Sequence, residues 1–120
     1  MILLDTHILV DAFDGRLRGA EETKLRADAQ WAVADITLWE LSMLYIAGRI
    51  AIDVASAEGR NAIAPLRIYP ITVEIAHQSC RLDFKTDPAD HLIAATSIVH
   101  NVPLMTRDRA IRTSKLVRFA

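Results

Sequence analysis

Apolar and polar residues come in blocks along this chain, and the block lengths sort the elements. Short apolar runs fall at Ile2–Asp5, Trp31–Ala34, Ile68–Ile71 and Val102–Thr106, and Leu116–Phe119 supplies a fifth. Runs this brief, with little polar alternation, predict strands buried on both faces. Longer stretches with helical spacing separate them. Asp14–Gln30 is polar, with leucines at 17 and 25 and alanines at 20, 27 and 29, and predicts one modest amphipathic helix. Thr37-Leu-Trp-Glu40 has the Ser/Thr-x-x-Glu form of a capping box and predicts a helix running to about Gly48. That helix is apolar on more than one face. Either something besides its own sheet covers one side, or the domain encloses it completely.

Further along, Asp53 predicts the cap of a helix reaching about Leu66, and Thr72 the cap of another through Leu82. Asp87-Pro88 opens a helix to about His100, because proline is welcome at the first helical position, and Asn101 is its stop. Arg107–Thr113 reads as a turn or short helix. Strands alternating with helices predict an α/β fold, a three-layer α/β/α sandwich around a mainly parallel sheet. No linker or repeat divides the chain, so residues 1–120 are expected to form a single domain.

Composition narrows the class. Apolar residues make up 52% of 120, and glycine and proline number four each, which excludes a disordered chain. The formal charge of −1 does not by itself announce a nucleic-acid binder. Its distribution is uneven: Arg107, Arg109, Arg112, Lys115 and Arg118 crowd the last fourteen residues against Asp108 alone. Such a basic flank suits a phosphate-bearing substrate, and an ordinary solvated surface explains it too. One cysteine, Cys80, permits no internal disulfide. No apolar run reaches membrane-spanning length, so a cytoplasmic protein with no membrane contact is expected.

Four acids stand in telling places. Asp5 ends the first apolar run, Glu40 follows the second, Asp90 lies in Asp87-Pro-Ala-Asp90, and Asp108 follows Pro103-Leu-Met-Thr106. In a parallel sheet the strands aim their C-terminal ends at one rim, where ligands bind, so these acids are expected to converge. Each also has a plain structural reading. Asp5 could cap a helix starting near Thr6, Glu40 completes the Thr37 box, Asp87 and Asp90 form a helix start, and Asp108 opens a turn. The combination points further. Two carboxylates about 4 Å apart repel by about 4 kcal/mol at an effective dielectric near 20. Four together would force protonation unless a hard divalent cation, Mg2+ or Mn2+, sat among them. Such an ion can orient water for attack on phosphorus. Thr6 and Thr106 are candidates to support the site, and His7, Arg107, Arg109 and Arg112 are candidate substrate contacts.

Other chemistries find no motif. Gly-x-Gly-x-x-Gly, a phosphate-binding Gly-Lys-Ser/Thr and Gly-x-Ser-x-Gly are all absent. His7, His77, His91 and His100 are scattered, and Cys80 has no ligand cluster around it, which excludes a zinc centre.

The same residues carry a resemblance. Leu3-Leu-Asp-Thr-His7, Thr37-Leu-Trp-Glu-Leu41 with Gly48-Arg-Ile50, Asp87-Pro-Ala-Asp-His-Leu-Ile-Ala-Ala-Thr96 and Pro103-Leu-Met-Thr-Arg-Asp108 together resemble the PIN domain. More narrowly they resemble VapC-type toxins of bacterial toxin–antitoxin pairs, in order and spacing from end to end. The resemblance implies a metal-dependent endoribonuclease in which Asp5, Glu40, Asp90 and Asp108 hold Mg2+ or Mn2+; Asp87, as the expected cap of the helix that carries Asp90, is a further supporting candidate. It also implies a homodimer bound by a small VapB-like antitoxin that covers an apolar groove. Two residues depart from the family pattern. His91 stands where Arg is usual, which puts a local ion pair in question, and Leu44 stands where many relatives have Lys. Two rival readings are a receiver-like signalling domain and a catalytically silent binding module. The first wants adjacent acids after strand one and an Asp after strand three, and the chain has Thr6-His7 and Pro70-Ile-Thr72 there.

Overall fold

The computed structural model describes residues Met1–Ala120. Its elements run β1 (Ile2–Leu4), α1 (Thr6–Asp14), α2 (Gly19–Ala27), β2 (Trp31–Ala34), α3 (Ile36–Ile46), α4 (Ala57–Ile63), β3 (Arg67–Tyr69), α5 (Val73–Ser79), α6 (Pro88–His100), β4 (Leu104–Met105) and α7 (Arg109–Arg112). The four strands form one parallel sheet in the order β3-β2-β1-β4.

Strand geometry divides the core in two. Successive side chains point to opposite faces of a strand. Leu3, Ala32, Ala34 and Leu104 accordingly join one cluster with Ile93 and Ala94 of α6, while Ile2, Leu4, Val33 and Met105 join another with Ile8, Leu9, Leu25 and Leu41 of α1, α2 and α3. A sheet apolar on both faces needs a helical layer on each. The expected three-layer α/β/α sandwich is what forms.

Several local expectations need correction. The predicted helix over Asp14–Gln30 is shorter at both ends: Asp14 is the last residue of α1, and α2 covers Gly19–Ala27. Gly15 adopts φ +68° and closes α1, donating its N–H to the Asp11 carbonyl, and α2 begins only at Gly19. Glycine takes this left-handed conformation without the Cβ penalty, so the polar run is punctuated where periodicity saw continuity. Ser56, not Asp53, caps α4 by accepting from the Gly59 N–H at 3.0 Å, while Asp53 turns the preceding loop by accepting from Ala55 N–H at 3.0 Å. The Thr37–Glu40 capping box does not form: α3 starts at Ile36 after Asp35, with no side-chain cap bond. Asp35 instead accepts from the Ile71 N–H at 3.0 Å and ties the loop after β3 to the end of β2. Leu116–Phe119 is reduced to one parallel bridge between Phe119 and Leu104, although bonds from Leu104 N–H to Arg118 and from Ala120 N–H to Leu104 keep this tail beside β4. Elsewhere Thr72 caps α5 as expected, with α5 ending early at Ser79, and Asn101 in the left-handed region ends α6.

Candidate active site

Parallel strands aim their C-terminal ends at one rim, and that rim gathers the acids. Asp5 follows β1 directly and is buried, 3% exposed. Its two oxygens have separate partners. Oδ1 accepts from the Thr6 N–H at 2.7 Å, the capping role, and Oδ2 accepts from the Thr106 hydroxyl at 2.6 Å. Thr106 follows β4, so this bond joins the ends of neighbouring strands 101 positions apart in sequence. The Thr106 hydroxyl also accepts from the Asp108 N–H at 3.0 Å. Asp108 caps α7, its Oδ1 accepting from the Ile111 N–H at 3.0 Å. The structural and site readings of Asp5 and Asp108 therefore coexist, because one carboxylate can cap with one oxygen and face the rim with the other.

Glu40 enters from the opposite wall. Released from any capping box, it accepts from the Thr6 hydroxyl through Oε1 at 2.6 Å, and the Thr37 hydroxyl stands 3.0 Å from that of Thr6. Asp90, on the first turn of α6, accepts from the Thr86 hydroxyl through Oδ2 at 3.1 Å. Glu40 Oε2, Asp90 Oδ1 and Asp108 Oδ2 accept no hydrogen bond within the protein. Asp87 sits at the N-cap position of α6 and makes no side-chain cap bond, which corrects its expected capping role. Its exposed carboxylate adds negative field at Glu40 instead.

The electrostatics record the crowding. Burial pushes the Asp5 carboxyl above the ordinary range, opposed by the Thr106 hydroxyl, His7 and the Thr6 N–H, while Asp108 pushes the same way as burial. Burial likewise raises Glu40; the Thr6 bond opposes it, and Asp5 and Asp87 add to it. Asp90 is pushed up to about 6, by burial first, then by Asp5, Glu40 and Asp108, with the Thr86 bond pulling back. None of these acids has a Lys or Arg partner, since the ion pairs are Met1–Asp28, Arg26–Glu22, Arg107–Asp11 and Arg107–Glu21. Uncompensated carboxylates on oxygen-rich walls are the donor set of a hard divalent cation. As the side chains stand, no three acids, cysteines or histidines are gathered tightly enough to hold an ion directly.

The remaining candidates divide. His7 is exposed beside the acids and its field eases the charge on Asp5 and Glu40. Thr6 and Thr106 hold the carboxylates themselves. Arg107 is not available to a substrate: it donates to Glu21 at 2.8 and 2.6 Å and to Asp11, and these partners raise its pKa. Arg109 and Arg112 remain exposed. His91 makes no ion pair; its Nε2 accepts from the Thr86 N–H at 3.0 Å and its ring meets Phe84 edge-on. Sequence reasoning missed Thr37 and Thr86 as members of the site. Thr86 alone left a signal, a hydroxyl four residues before Asp90, and that spacing is too common to single it out.

Known proteins share this sequence pattern and this fold. Residues 2–115 match the PIN domain family. The chain is 33% identical over 119 residues to Ribonuclease VapC22 of Mycobacterium tuberculosis, covering 95% of this chain and 92% of that protein. A toxin–antitoxin complex from Klebsiella pneumoniae contains a chain with TM-score 0.70 and 28% identity, covering 90% of this chain and 87% of its own. FitAcB from Neisseria gonorrhoeae shares the fold, with TM-score 0.72 and 20% identity over 100% of this chain and 97% of its own.

Proposed function

The chain belongs to the PIN domain family, and we propose that it is a metal-dependent endoribonuclease acting as the toxin of a toxin–antitoxin pair in the cytoplasm. The observation that carries this is the rim of Asp5, Glu40, Asp90 and Asp108, buried or half-buried, mutually repelling and without a basic partner. These four would hold Mg2+ or Mn2+, with Asp87 adding negative field. When bound, the cation supplies charge neutralisation at phosphorus and a better water nucleophile. The chain's own part is positioning. Thr6 fixes Oε1 of Glu40 and Thr106 fixes Oδ2 of Asp5, so the open oxygens of Glu40, Asp90 and Asp108 face a site whose walls are already set. Burial of Asp5 keeps bulk water from screening the charges that act on the phosphoryl group.

The partner side of the reading rests on α3. Trp39, Met43 and Ile46 are 56%, 53% and 82% exposed and recur one helical turn apart. Large side chains left open in one stripe mark an interaction surface, which fits a homodimer or an antitoxin helix. No helix is long and apolar enough to cross a membrane.

Brief expression of the wild-type chain and of Asp5→Asn in a bacterial host, followed by sequencing of RNA ends, tests the activity. Discrete new ends in the wild type alone are expected, and cleavage by the purified protein should stop in chelator. Identical end profiles for wild type and variant would remove the proposal.

A further inference from the structure

A second chemical feature lies against the acidic rim and is its electrostatic opposite. Between the start of α2 and α7 is a cavity of about 390 Å3 lined by Arg18, Arg107, Arg109 and Arg112, with Glu21 as its one carboxylate. Both oxygens of Glu21 are committed, to Arg107 at 2.8 and 2.6 Å and to the Arg18 N–H at 2.9 Å. Arg107 is in turn taken up by both Glu21 and Asp11, so its charge is fully compensated at the cavity floor. Arg18, Arg109 and Arg112 keep their charge unpaired above it.

Arg112 is also pre-set. Its Nη1 donates to the Thr106 carbonyl at 3.1 Å and its guanidinium lies 4.9 Å from the centre of the Phe119 ring. One of five guanidinium donors is thereby spent, and the rest remain available on a side chain held in place. The cavity's wall includes Thr106, whose hydroxyl binds Asp5 at 2.6 Å. Basic cavity and acidic rim thus share one residue, which meets Arg112 through its carbonyl and Asp5 through its hydroxyl.

We propose that this cavity binds a backbone phosphate of the RNA strand, adjacent along the chain to the phosphate being cut. The inference rests on the nuclease reading and deepens it by naming where the strand is gripped. The charge excludes a metal ion, and four arginines around a single apolar residue, Ala20, do not suit an apolar ligand. Arginine forks match phosphate oxygens geometrically, and a polyanion whose scissile phosphate lies at the acids must carry a second phosphate close by. An acidic protein segment could use the same arginines, so the test includes it.

The probe is a fluorescently labelled, random-sequence single-stranded oligoribonucleotide, its binding followed by anisotropy in chelator across a salt series. Arg18 and Arg109 are exposed and have no side-chain partner in the fold, so Arg18→Gln/Arg109→Gln is expected to fold normally. It should bind about tenfold more weakly at low salt, and its log K against log salt slope should flatten by about 0.7 for each phosphate that the variant no longer neutralises. A methylphosphonate version of the probe, without backbone charge, should bind wild type and variant alike. An unchanged slope overturns the proposal. So does normal RNA binding combined with failure to capture an acidic peptide or the antitoxin. Failure of the nuclease reading looks different: wild type would leave RNA intact in Mg2+ and Mn2+ while the slope change persisted.

Discussion

Asp90→Asn is expected to make the metal-free protein more stable while removing its activity. The carboxyl of Asp90 titrates near 6 in the fold, against about 4 in an unfolded chain. Its causes, in order, are burial and the negative charge of Asp5, then of Glu40 and Asp108, with Thr86 partly compensating. Two pKa units correspond to about 3 kcal/mol if counted in full. Asp90 is only half-buried, and solvent screening reduces the figure to about 1–2 kcal/mol. Asparagine is nearly isosteric and its Oδ1 can still accept from Thr86, so the gain should survive the substitution.

The sign follows from proton linkage. Below about pH 4 the carboxyl is protonated in both states and costs nothing. Between about pH 4 and 6 the unfolded chain ionises first, so wild-type stability falls as pH rises through that window and stays low above it. Asp5 and Glu40 are raised as well and act in the same direction, so Asn at position 90 flattens the fall without abolishing it. Urea denaturation in chelator from pH 4 to 7.5 measures this directly. Adding Mn2+ reverses the order: wild type should gain about 2.7 kcal/mol at a free concentration about 100 times its Kd, and the variant far less. If Asp90→Asn is no more stable than wild type at pH 7 in chelator, and wild-type stability is flat across the window, the carboxylates do not repel as described.

Two further perturbations test local readings. Gly59→Ala drives a Cβ into the Asp53 carbonyl oxygen, a backbone atom that cannot swing aside, so a loss of about 2 kcal/mol or more is expected in urea titration. Asp87→Ala should cost under about 0.5 kcal/mol of stability, because the carboxylate makes no cap bond, whereas a true N-cap would cost about 1 kcal/mol; thermal melts in chelator separate the two.

The layers of the fold were legible because they depend on burial, which shows directly in composition. Ile2–Leu4 and Trp31–Ala34 carry apolar side chains on both faces, and only a sheet covered on both sides satisfies that. Element ends were less legible, because they turn on single residues whose effect depends on neighbours. Gly15 closed α1 where the periodicity had a new helix already under way, and Ser56 displaced Asp53 as a cap by a choice between two polar residues three positions apart. Leu116–Phe119 has strand composition, yet its place beside the two-residue β4 leaves room for one bridge.

The convergence of the acids at the candidate site was legible in the sequence, and what holds them was not. Asp5, Glu40, Asp90 and Asp108 stand after apolar runs or on the helix beside them, so topology alone delivers them to one rim. The reading of Thr37 and Glu40 as a capping box was chemically sound for an isolated helix. It failed because Thr6, 34 positions earlier in sequence, offers Glu40 a buried hydroxyl that no local pattern contains. Arg107 failed for the same reason in reverse. In sequence it belongs to a basic run, and in space it meets Asp11 and Glu21 from α1 and α2, leaving Arg109 and Arg112 as the run's unpaired charges in the cavity and adding Arg18 from outside the run. Charge counted along a chain therefore locates where cations are made; only the fold decides which remain uncompensated, and those are the ones a phosphate can use.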